Sequence, residues 1–373
     1  MKVLLDYRMS SWSGIGRYSQ GLALALARRD DLELNLICEL GATLPDELVH
    51  LPRFEASAYP LSSRGFRELL FAVRDLDVDL IHCVHISTPR PKAKVPIVTT
   101  LHDLTPLLVD GVMPSIFKRA AYSALNSRAV SDSTAIITPS QHTATDIAKF
   151  FPKSTGKITA IPLAADELLS IKPVRPKVMD SLAQSTIDSG AAFILSMGNT
   201  KEHKNLSTLF AAFKEVARSQ SNLNLLLVGK EPAGYLSEQI EPSLLGRVQF
   251  TGSVTDAELV WLYNNAQAFV FPSLYEGFGL PPLEAMSFGC PTIVSSAASL
   301  PEVVGDAGVK CAPLDSAGLS AAIEHILTDV DFAQNLRERG LIRAQQFAWK
   351  KVAEATAVVY YNACSKLDDV AKL

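Results

Sequence analysis

The 373-residue sequence has no apolar run that approaches the ~18 residues needed to span a membrane. It also lacks the apolar core of a signal peptide, because the short apolar run after Lys2 is followed at once by Asp6 and Arg8. These absences predict a cytoplasmic protein.

Cysteine is scarce and scattered. The five cysteines are odd in number, far apart and mostly in apolar, strand-like runs. That distribution favours reduced thiols in a core over disulfides or zinc ligands. We therefore predict no metal site and no cofactor. The five are Cys38, Cys83, Cys290, Cys311 and Cys364.

A basic tract is also missing, and the net charge is −4. This balance disfavours nucleic acid as a partner, although it permits a local phosphate site built from a few donors. The length and the 48% apolar content suit two α/β domains.

Apolar runs of strand length alternate with helical patterns, which predicts parallel, doubly wound sheets. The first series of strands is 3–5, 32–38, 80–84, 97–101, 134–138 and 157–161. The second series is 193–197, 223–228, 248–251, 268–271 and 291–295. Two prolines and three positive charges at 170–177 interrupt the alternation and suit a domain connection. We place domains at 1–170 and 190–349, a linker at 171–189 and a C-terminal amphipathic helix at about 350–373.

Two carboxylates, Glu276 and Glu284, follow the apolar strand 268–271 at a predicted strand-to-helix turn. A carboxylate accepts two or more hydrogen bonds, so such a pair can hold vicinal hydroxyls of a sugar or a ribose. A helix opening near Pro282 would direct backbone N–H groups and its positive end at an anion. Alternatively, Glu276 caps a turn and Glu284 is an ordinary acid of a first helical turn.

The surrounding segment, FPSLYEGFGLPPLEAMSFGCPTIVSS, resembles the donor-binding signature of retaining glycosyltransferases of family 4. The resemblance implies the GT-B architecture, in which two Rossmann-like parallel-sheet domains face a central cleft and the last helix returns to the first domain. It also implies that Glu276 contacts the donor sugar and Glu284 the ribose. The backbone between them would follow the sugar and the phosphates, at Gly277, Phe278, Gly279 and Leu280.

A second candidate segment, Gly198 to Leu206, follows the strand 193–197. Lys201 and Lys204 offer ammonium groups to a departing diphosphate, and such charge stabilisation is a large catalytic term. Family members often carry an arginine where this chain has Asn199. Lys204 is therefore the main phosphate ligand that we predict, and Lys201 is equally consistent with a solvated charge.

His102 and Asp103 follow the strand 97–101, where ligand-facing polar groups of a parallel sheet belong. The resemblance makes His102 a donor-sugar contact and Asp103 a group that positions the acceptor or acts as a base. An interdomain hydrogen bond is the structural alternative. His82 and His85 lie in or just after an apolar strand and are predicted to be satisfied polar groups of the core.

The glycines Gly14 and Gly16 precede a predicted helix and suggest a dinucleotide-binding loop. That fingerprint needs its glycines directly after the strand, whereas residues 7–13 intervene here and Ser19 replaces the last glycine. The preferred interpretation is a glycine loop that borders the diphosphate and the acceptor in the family. A surface turn remains an alternative for Gly14.

Gly229 and the segment that ends at Val254 resemble the loops whose backbone contacts the nucleobase. The segments HDLTPL and GNTKEHKNL are similar to those of bacterial mannosyl- or rhamnosyltransferases of O-antigen and exopolysaccharide assembly. The resemblance therefore implies GDP-mannose or a GDP-deoxyhexose as donor, and a glycan or polyprenyl-diphosphate-linked saccharide as acceptor. A sugar phosphorylase, a synthase acting on a sugar phosphate and a catalytically silent nucleotide-sugar-binding protein are the alternatives.

A predicted helix carries Arg64, Arg67 and Arg74 opposite an apolar side. An ordinary surface helix explains this pattern and is the preferred interpretation. The alternative is a helix that docks the enzyme on anionic lipid at the cytoplasmic face of the inner membrane.

Overall fold

The structure, a computed structural model, describes residues 1–89, 93–179 and 192–371. It consists of two compact units, one formed by Met1–Ala164 with Ala348–Leu373 and the other by Ala165–Phe347. The division falls a few residues before the boundary that we predicted at 170. Val174, in the predicted linker, donates its N–H to the carbonyl of Ala257 at 3.0 Å, so this part of the linker packs on the second unit. Residues 180–189 of that linker lie outside the described residues.

Seven parallel strands form the sheet of the first unit, in the order β3-β2-β1-β4-β5-β6-β7. They are β1 Lys2–Asp6, β2 Glu33–Glu39, β3 Arg53–Ala56, β4 Leu80–Cys83, β5 Ile97–Thr100, β6 Ala135–Thr138 and β7 Ile158–Ala160. The helices between them are α1 Ser13–Ala27, α2 Ser63–Leu76, α3 Thr105–Leu108, α4 Ile116–Asp132 and α5 Gln141–Phe150. In register, Val3 pairs with Leu34 on one side and with Leu80 on the other.

The second unit holds six parallel strands in the order β10-β9-β8-β11-β12-β13. They are β8 Phe193–Met197, β9 Asn224–Val228, β10 Val248–Phe250, β11 Ala268–Phe271, β12 Thr292–Ser295 and β13 Val309–Cys311. Its helices are α6 Leu206–Ser219, α7 Tyr235–Gln239, α8 Asp256–Asn265, α9 Leu280–Ser287, α10 Leu300–Val304, α11 Ser316–Thr328 and α12 Val330–Ala344. The predicted doubly wound α/β class with two parallel sheets is confirmed.

The last helix, α13 Trp349–Ala371, belongs to the first unit and packs on α1. Tyr360 on this helix places its hydroxyl 2.6 Å from Nδ1 of His82, a residue with no exposed surface in β4. The other ring nitrogen of His82 lies 2.8 Å from Oγ1 of Thr100. His82 is thus a satisfied polar group of the core, as its apolar surroundings predicted, and burial lowers its pKa to about 3.

Central strands such as β4, β5, β11 and β12 are buried along their whole length, as expected for strands covered by helices on both faces. The edge strands β3 and β13 were missed by the sequence analysis. Their side chains are mostly exposed or half-buried, so neither forms the apolar run by which a strand is recognised. Within the described residues, no helix is both long and apolar enough to cross a membrane.

Candidate functional site

Glu276 lies in the loop between β11 and α9, where two groups of the second unit hold its carboxylate. The ammonium of Lys204 is 2.6 Å from Oε1, and the hydroxyl of Ser273 donates to the same oxygen at 2.7 Å. The side chains of Lys204 and Glu276 are each 16% exposed, so the ion pair is largely shielded but still reachable from solvent. The sequence predicted both residues for the site, and the fold brings them together across 72 positions.

Lys204 ends a turn of 3-10 helix, Glu202–Lys204, that enters α6. The next residue, Asn205, has a left-handed backbone with φ 57° and donates its side-chain amide to the carbonyl of Pro272 at 3.1 Å. Thr208 in turn donates to the amide oxygen of Asn205 at 2.7 Å. The ammonium of Lys204 also lies 5.3 Å from the centre of the Phe271 ring. The end of β11 therefore fixes the position of the lysine before any ligand binds.

Glu284 is on α9 and is only 2% exposed. The hydroxyl of Tyr263 on α8 donates to its Oε2 at 3.0 Å, which fixes the rotation of the carboxylate. A buried carboxylate is costly unless hydrogen bonds satisfy it. The burial of Glu284 on the first turns of α9 is inconsistent with a solvated helix-start acid. It suits a group that presents a fixed hydrogen-bond acceptor to a ligand.

The loop between the two acids makes a sharp turn at Gly279, which has φ 109°, and α9 begins at the next residue, Leu280, two residues before the predicted Pro282. A Cβ at Gly279 would lie 2.6 Å from a methyl carbon of Leu300, so no other residue fits this turn without a shift. The hydroxyl of Ser299 bridges the carbonyls of Glu276 and Phe278 at 2.9 and 2.6 Å. These bonds hold the loop at the start of α9, and the first N–H groups of a helix are the ones that can bind an anion.

Further predicted residues lie at the carboxyl ends of β8, β9 and β10 in the same sheet. Gly198 donates its N–H to the carbonyl of Val228 at 2.8 Å, and a Cβ on it would come within 2.7 Å of the Phe250 ring. Gly252 donates to the carbonyl of Gly229 at 2.9 Å. Gly198 is buried, whereas Gly229, Gly252 and Val254 are half-buried, so solvent reaches part of these loops.

Asn199 and Lys201 occupy the loop between β8 and the Lys204 turn. The side-chain oxygen of Asn199 accepts from the N–H of Lys201 at 3.1 Å, so it shapes the loop. Lys201 itself is exposed, in contrast to Lys204. The structure therefore agrees with the sequence in separating the two lysines, since Lys201 is the solvated charge that was its alternative interpretation.

In the first unit, His102 and Asp103 come directly after β5. Nε2 of His102 is 2.9 Å from the carbonyl of Val84, and because a carbonyl only accepts, Nε2 carries the proton. Burial lowers the pKa of His102, so the neutral ring presents Nδ1 as an acceptor. One oxygen of the Asp103 carboxylate accepts from the N–H of Thr105 at 2.8 Å.

The two N-terminal glycines do not form the loop that the sequence predicted, because α1 begins at Ser13 and includes both of them. Gly14 is exposed, and nothing lies within 4 Å of a Cβ placed on it. Gly16 is buried, and its missing side chain lets the helix approach the carbonyl of Ser10. The connection from β1 is therefore the segment 7–12, and a dinucleotide fingerprint is absent from it.

Several groups that complete the site were not predicted. Ser273 stands three residues before Glu276 in the signature and could have been found there, whereas Tyr263 and Ser299 act through tertiary contacts that carry no sequence signal. Across the described residues, no cluster of three or more histidine, cysteine, aspartate or glutamate side chains could hold a metal ion. Metal independence stays a prediction.

Known protein families match both units. Residues 12–167 match the family model described as Glycosyltransferase Family 4, and residues 179–343 match the model for glycosyl transferases group 1. The second match covers Lys204, Glu276 and Glu284 together.

Individual proteins are similar over different lengths. The O-antigen chain mannosyltransferase B of Escherichia coli is 29% identical over 372 residues, which cover 93% of this chain and 96% of that protein. The serotype-specific mannosyltransferase WbdA of the same organism is 32% identical over 280 residues, 72% of this chain, and the chain spans only 34% of its length. The solved sucrose-phosphate synthase of Thermosynechococcus elongatus aligns with a TM-score of 0.77 over 98% of this chain and 100% of that chain, at 21% identity, a likeness of fold alone.

Proposed function

The chain belongs to glycosyltransferase family 4 and has the GT-B fold, and from that premise we propose that it transfers mannose from GDP-mannose to a hydroxyl of a surface polysaccharide. The enzyme class is a hexosyltransferase. The mannosyl specificity is supported by the similarity to O-antigen mannosyltransferases from Escherichia coli. Retention of the anomeric configuration is adopted from the family.

The main support for the proposal is the preorganised ion pair of Lys204 and Glu276, which lies beside the turn at Gly279. A nucleoside diphosphate leaving group gains negative charge in the transition state, and a fixed ammonium stabilises that charge without further reorganisation. Glu276 then serves two groups at once, since one oxygen holds Lys204 and the carboxylate can accept from sugar hydroxyls. Lys204 is thus the phosphate ligand, and Glu276 orients the sugar.

Glu284 is proposed to accept hydrogen bonds from both hydroxyls of the ribose. The bond from Tyr263 fixes the plane of this carboxylate, and burial strengthens each hydrogen bond that it accepts. The N–H groups at the start of α9 would hold the phosphates, and the loops at Gly229 and Val254 would contact the base. The departing phosphate would assist deprotonation of the acceptor, while neutral His102 contacts the sugar and Asp103 orients the acceptor.

A calorimetric titration with GDP, UDP and dTDP, each without metal, tests the donor. We expect GDP to bind most tightly to the unmodified protein. In Glu284→Ala the affinity for GDP should fall by roughly 10- to 100-fold, because a hydrogen bond to a charged group contributes about 1.5–3 kcal/mol. Glu324→Ala is the matched control, since Glu324 is also a helical carboxylate that accepts from a hydroxyl, that of Ser219 at 2.8 Å, but lies outside the site.

Three results of this titration would contradict different parts of the proposal. Tighter binding of UDP or dTDP would overturn the guanine assignment and leave the glycosyltransferase intact. If all three diphosphates failed to bind folded protein, the nucleotide site itself would be wrong. An unchanged affinity in Glu284→Ala would remove the ribose role.

The arginines of α2 bear on the membrane hypothesis. Arg64 is 3.2 Å from Glu68 and Arg74 is 3.3 Å from Asp75, so two of the three are paired on their own helix. Each unpaired basic side chain contributes only about 1 kcal/mol of attraction to an anionic surface. We therefore propose a surface helix, and expect the triple Arg→Gln variant at 64, 67 and 74 to bind anionic vesicles as the unmodified protein does. A lost vesicle association in sedimentation would establish the membrane-facing alternative.

A further inference from the structure

Three ring side chains gather at one edge of the first sheet, beyond His102 and Asp103. Trp12 ends the segment after β1, Tyr59 follows β3, and His85 follows β4. All three positions are at carboxyl ends of parallel strands, the edge at which open α/β sheets bind ligands. Neighbouring strands lie about 4.8 Å apart, so β1 is roughly 10 Å from β5. His85 follows β4, the strand next to β5, and therefore adjoins the His102 and Asp103 position, whereas Trp12 and Tyr59 follow strands that are further along the sheet.

The rings form an ordered surface. The centroids of Trp12 and Tyr59 are 5.9 Å apart with an interplanar angle of 24°, an offset stack. His85 meets Trp12 edge-on, with centroids 6.4 Å apart at 76°. Tyr59 is 60% exposed and Trp12 is half-buried. The stacked aromatic pair is fixed in position but accessible to solvent, so it can pack against the flat apolar face of a ligand.

His85 adds a polar group with a defined role. Its Nδ1 accepts the N–H of Ile86 at 2.6 Å, so in the neutral ring the proton is on Nε2. Burial and the neighbouring His102 lower the pKa of His85 to about 4, which keeps the ring neutral near pH 7. Within the described residues Nε2 has no hydrogen-bond partner, and it therefore offers an N–H to a ligand.

We propose that Trp12, Tyr59 and His85 form a subsite for a sugar residue of the acceptor chain, a proposal that rests on the glycosyltransferase function above. One face of a hexose presents C–H bonds whose hydrogens are weakly positive, and an aromatic ring presents a negative face to them. The hydroxyls at the rim of the same sugar accept from Nε2–H of His85. Because the subsite lies beyond Asp103, it binds a sugar that precedes the reacting one, and the enzyme thereby selects an oligosaccharide over a monosaccharide.

The test compares methyl α-mannoside with α-linked mannotetraose as acceptors at saturating GDP-mannose. In Trp12→Ala the KM for mannotetraose should rise about tenfold, the usual scale for a lost aromatic stack, with kcat little changed. The KM for methyl α-mannoside should stay within about twofold, since one sugar fills only the position at Asp103. Trp12→Phe, which keeps a ring, should recover most of the loss. Phe117→Ala is the control, because Phe117 is an 82% exposed ring of the same unit outside this surface.

A readout that needs no turnover separates this inference from the proposed function. Saturation-transfer NMR of mannotetraose without donor should give signals with the unmodified protein that vanish in Trp12→Ala and in Tyr59→Ala. Tyr59 is exposed enough for its variant to fold. Equal signals or equal KM values in these variants, or no signal with the unmodified protein, overturn the subsite even if GDP binds. Missing GDP binding with retained signals overturns the transferase function alone.

Discussion

Replacing Lys204 with methionine is expected to lower the kcat of mannosyl transfer by a factor of roughly 10²–10³, which is the usual loss when one preorganised, charge-stabilising donor is removed. Methionine keeps most of the side-chain length and removes only the ammonium that lies 2.6 Å from Glu276. The bond from Ser273 to Glu276 remains at 2.7 Å, so the carboxylate keeps one partner and the loop keeps its shape. The loss should therefore appear in kcat, measured as GDP released in the presence of mannotetraose, and not in the thermal unfolding of the protein.

The matched control is Lys214→Met, which breaks another lysine–glutamate pair of the second unit, the exposed contact with Glu241. It should change kcat by less than about twofold, because an exposed pair contributes at most about 1 kcal/mol to stability and has no part in the site. Lys204→Arg should restore part of the activity, since it returns the charge with a different shape. If Lys204→Met kept more than a tenth of the kcat, the diphosphate would be stabilised by other groups.

The site could be predicted from sequence where its residues are close in the chain. Glu276, Gly279 and Glu284 share one strand–turn–helix unit, and the turn chemistry of glycine and proline marks it. Lys204 was predicted from its place after a strand. The sequence could not predict how these groups are held, because Asn205, Tyr263 and Ser299 hydrogen-bond to residues that are at least 21 positions away in the chain.

The N-terminal glycines illustrate a different failure. A glycine pair before a helical pattern predicts a loop, yet the helix begins at Ser13 and includes both glycines. Gly16 is needed for its close approach to the carbonyl of Ser10, a packing requirement that periodicity does not reveal. The ring surface of Trp12, Tyr59 and His85 was missed because three loops that are distant in the chain contribute one ring each.

Arg8→Met is expected to destabilise the first unit by about 3–5 kcal/mol, the usual cost of leaving one charge of a buried pair behind. Asp6 and Arg8 both have side chains with no exposed surface. The guanidinium of Arg8 donates to both oxygens of Asp6 at 2.8 Å and to the carbonyl of Gly65 at 2.9 Å. Ser87 donates to Asp6 at 2.7 Å. The pair thus joins the end of β1 to α2 and to the segment after β4, and its loss leaves a buried carboxylate with Ser87 as its remaining side-chain donor.

In differential scanning calorimetry this loss should lower the Tm of the first unit by roughly 6–20 °C, given about 2–4 °C per kcal/mol for a unit of this size. Amide exchange in β1 would identify which transition belongs to that unit, since the two units need not unfold together. Arg53→Met is the matched control, because Arg53 and Glu55 are likewise two residues apart in the chain but have side chains that are 38% and 41% exposed. Breaking this exposed ion pair should lower the free energy of unfolding by at most about 1 kcal/mol. The double variant Asp6→Leu with Arg8→Met should regain part of the loss, because no charge then remains buried. Equal shifts for Arg8→Met and Arg53→Met would mean that water reaches the Asp6 carboxylate, and that the end of β1 is held by packing alone.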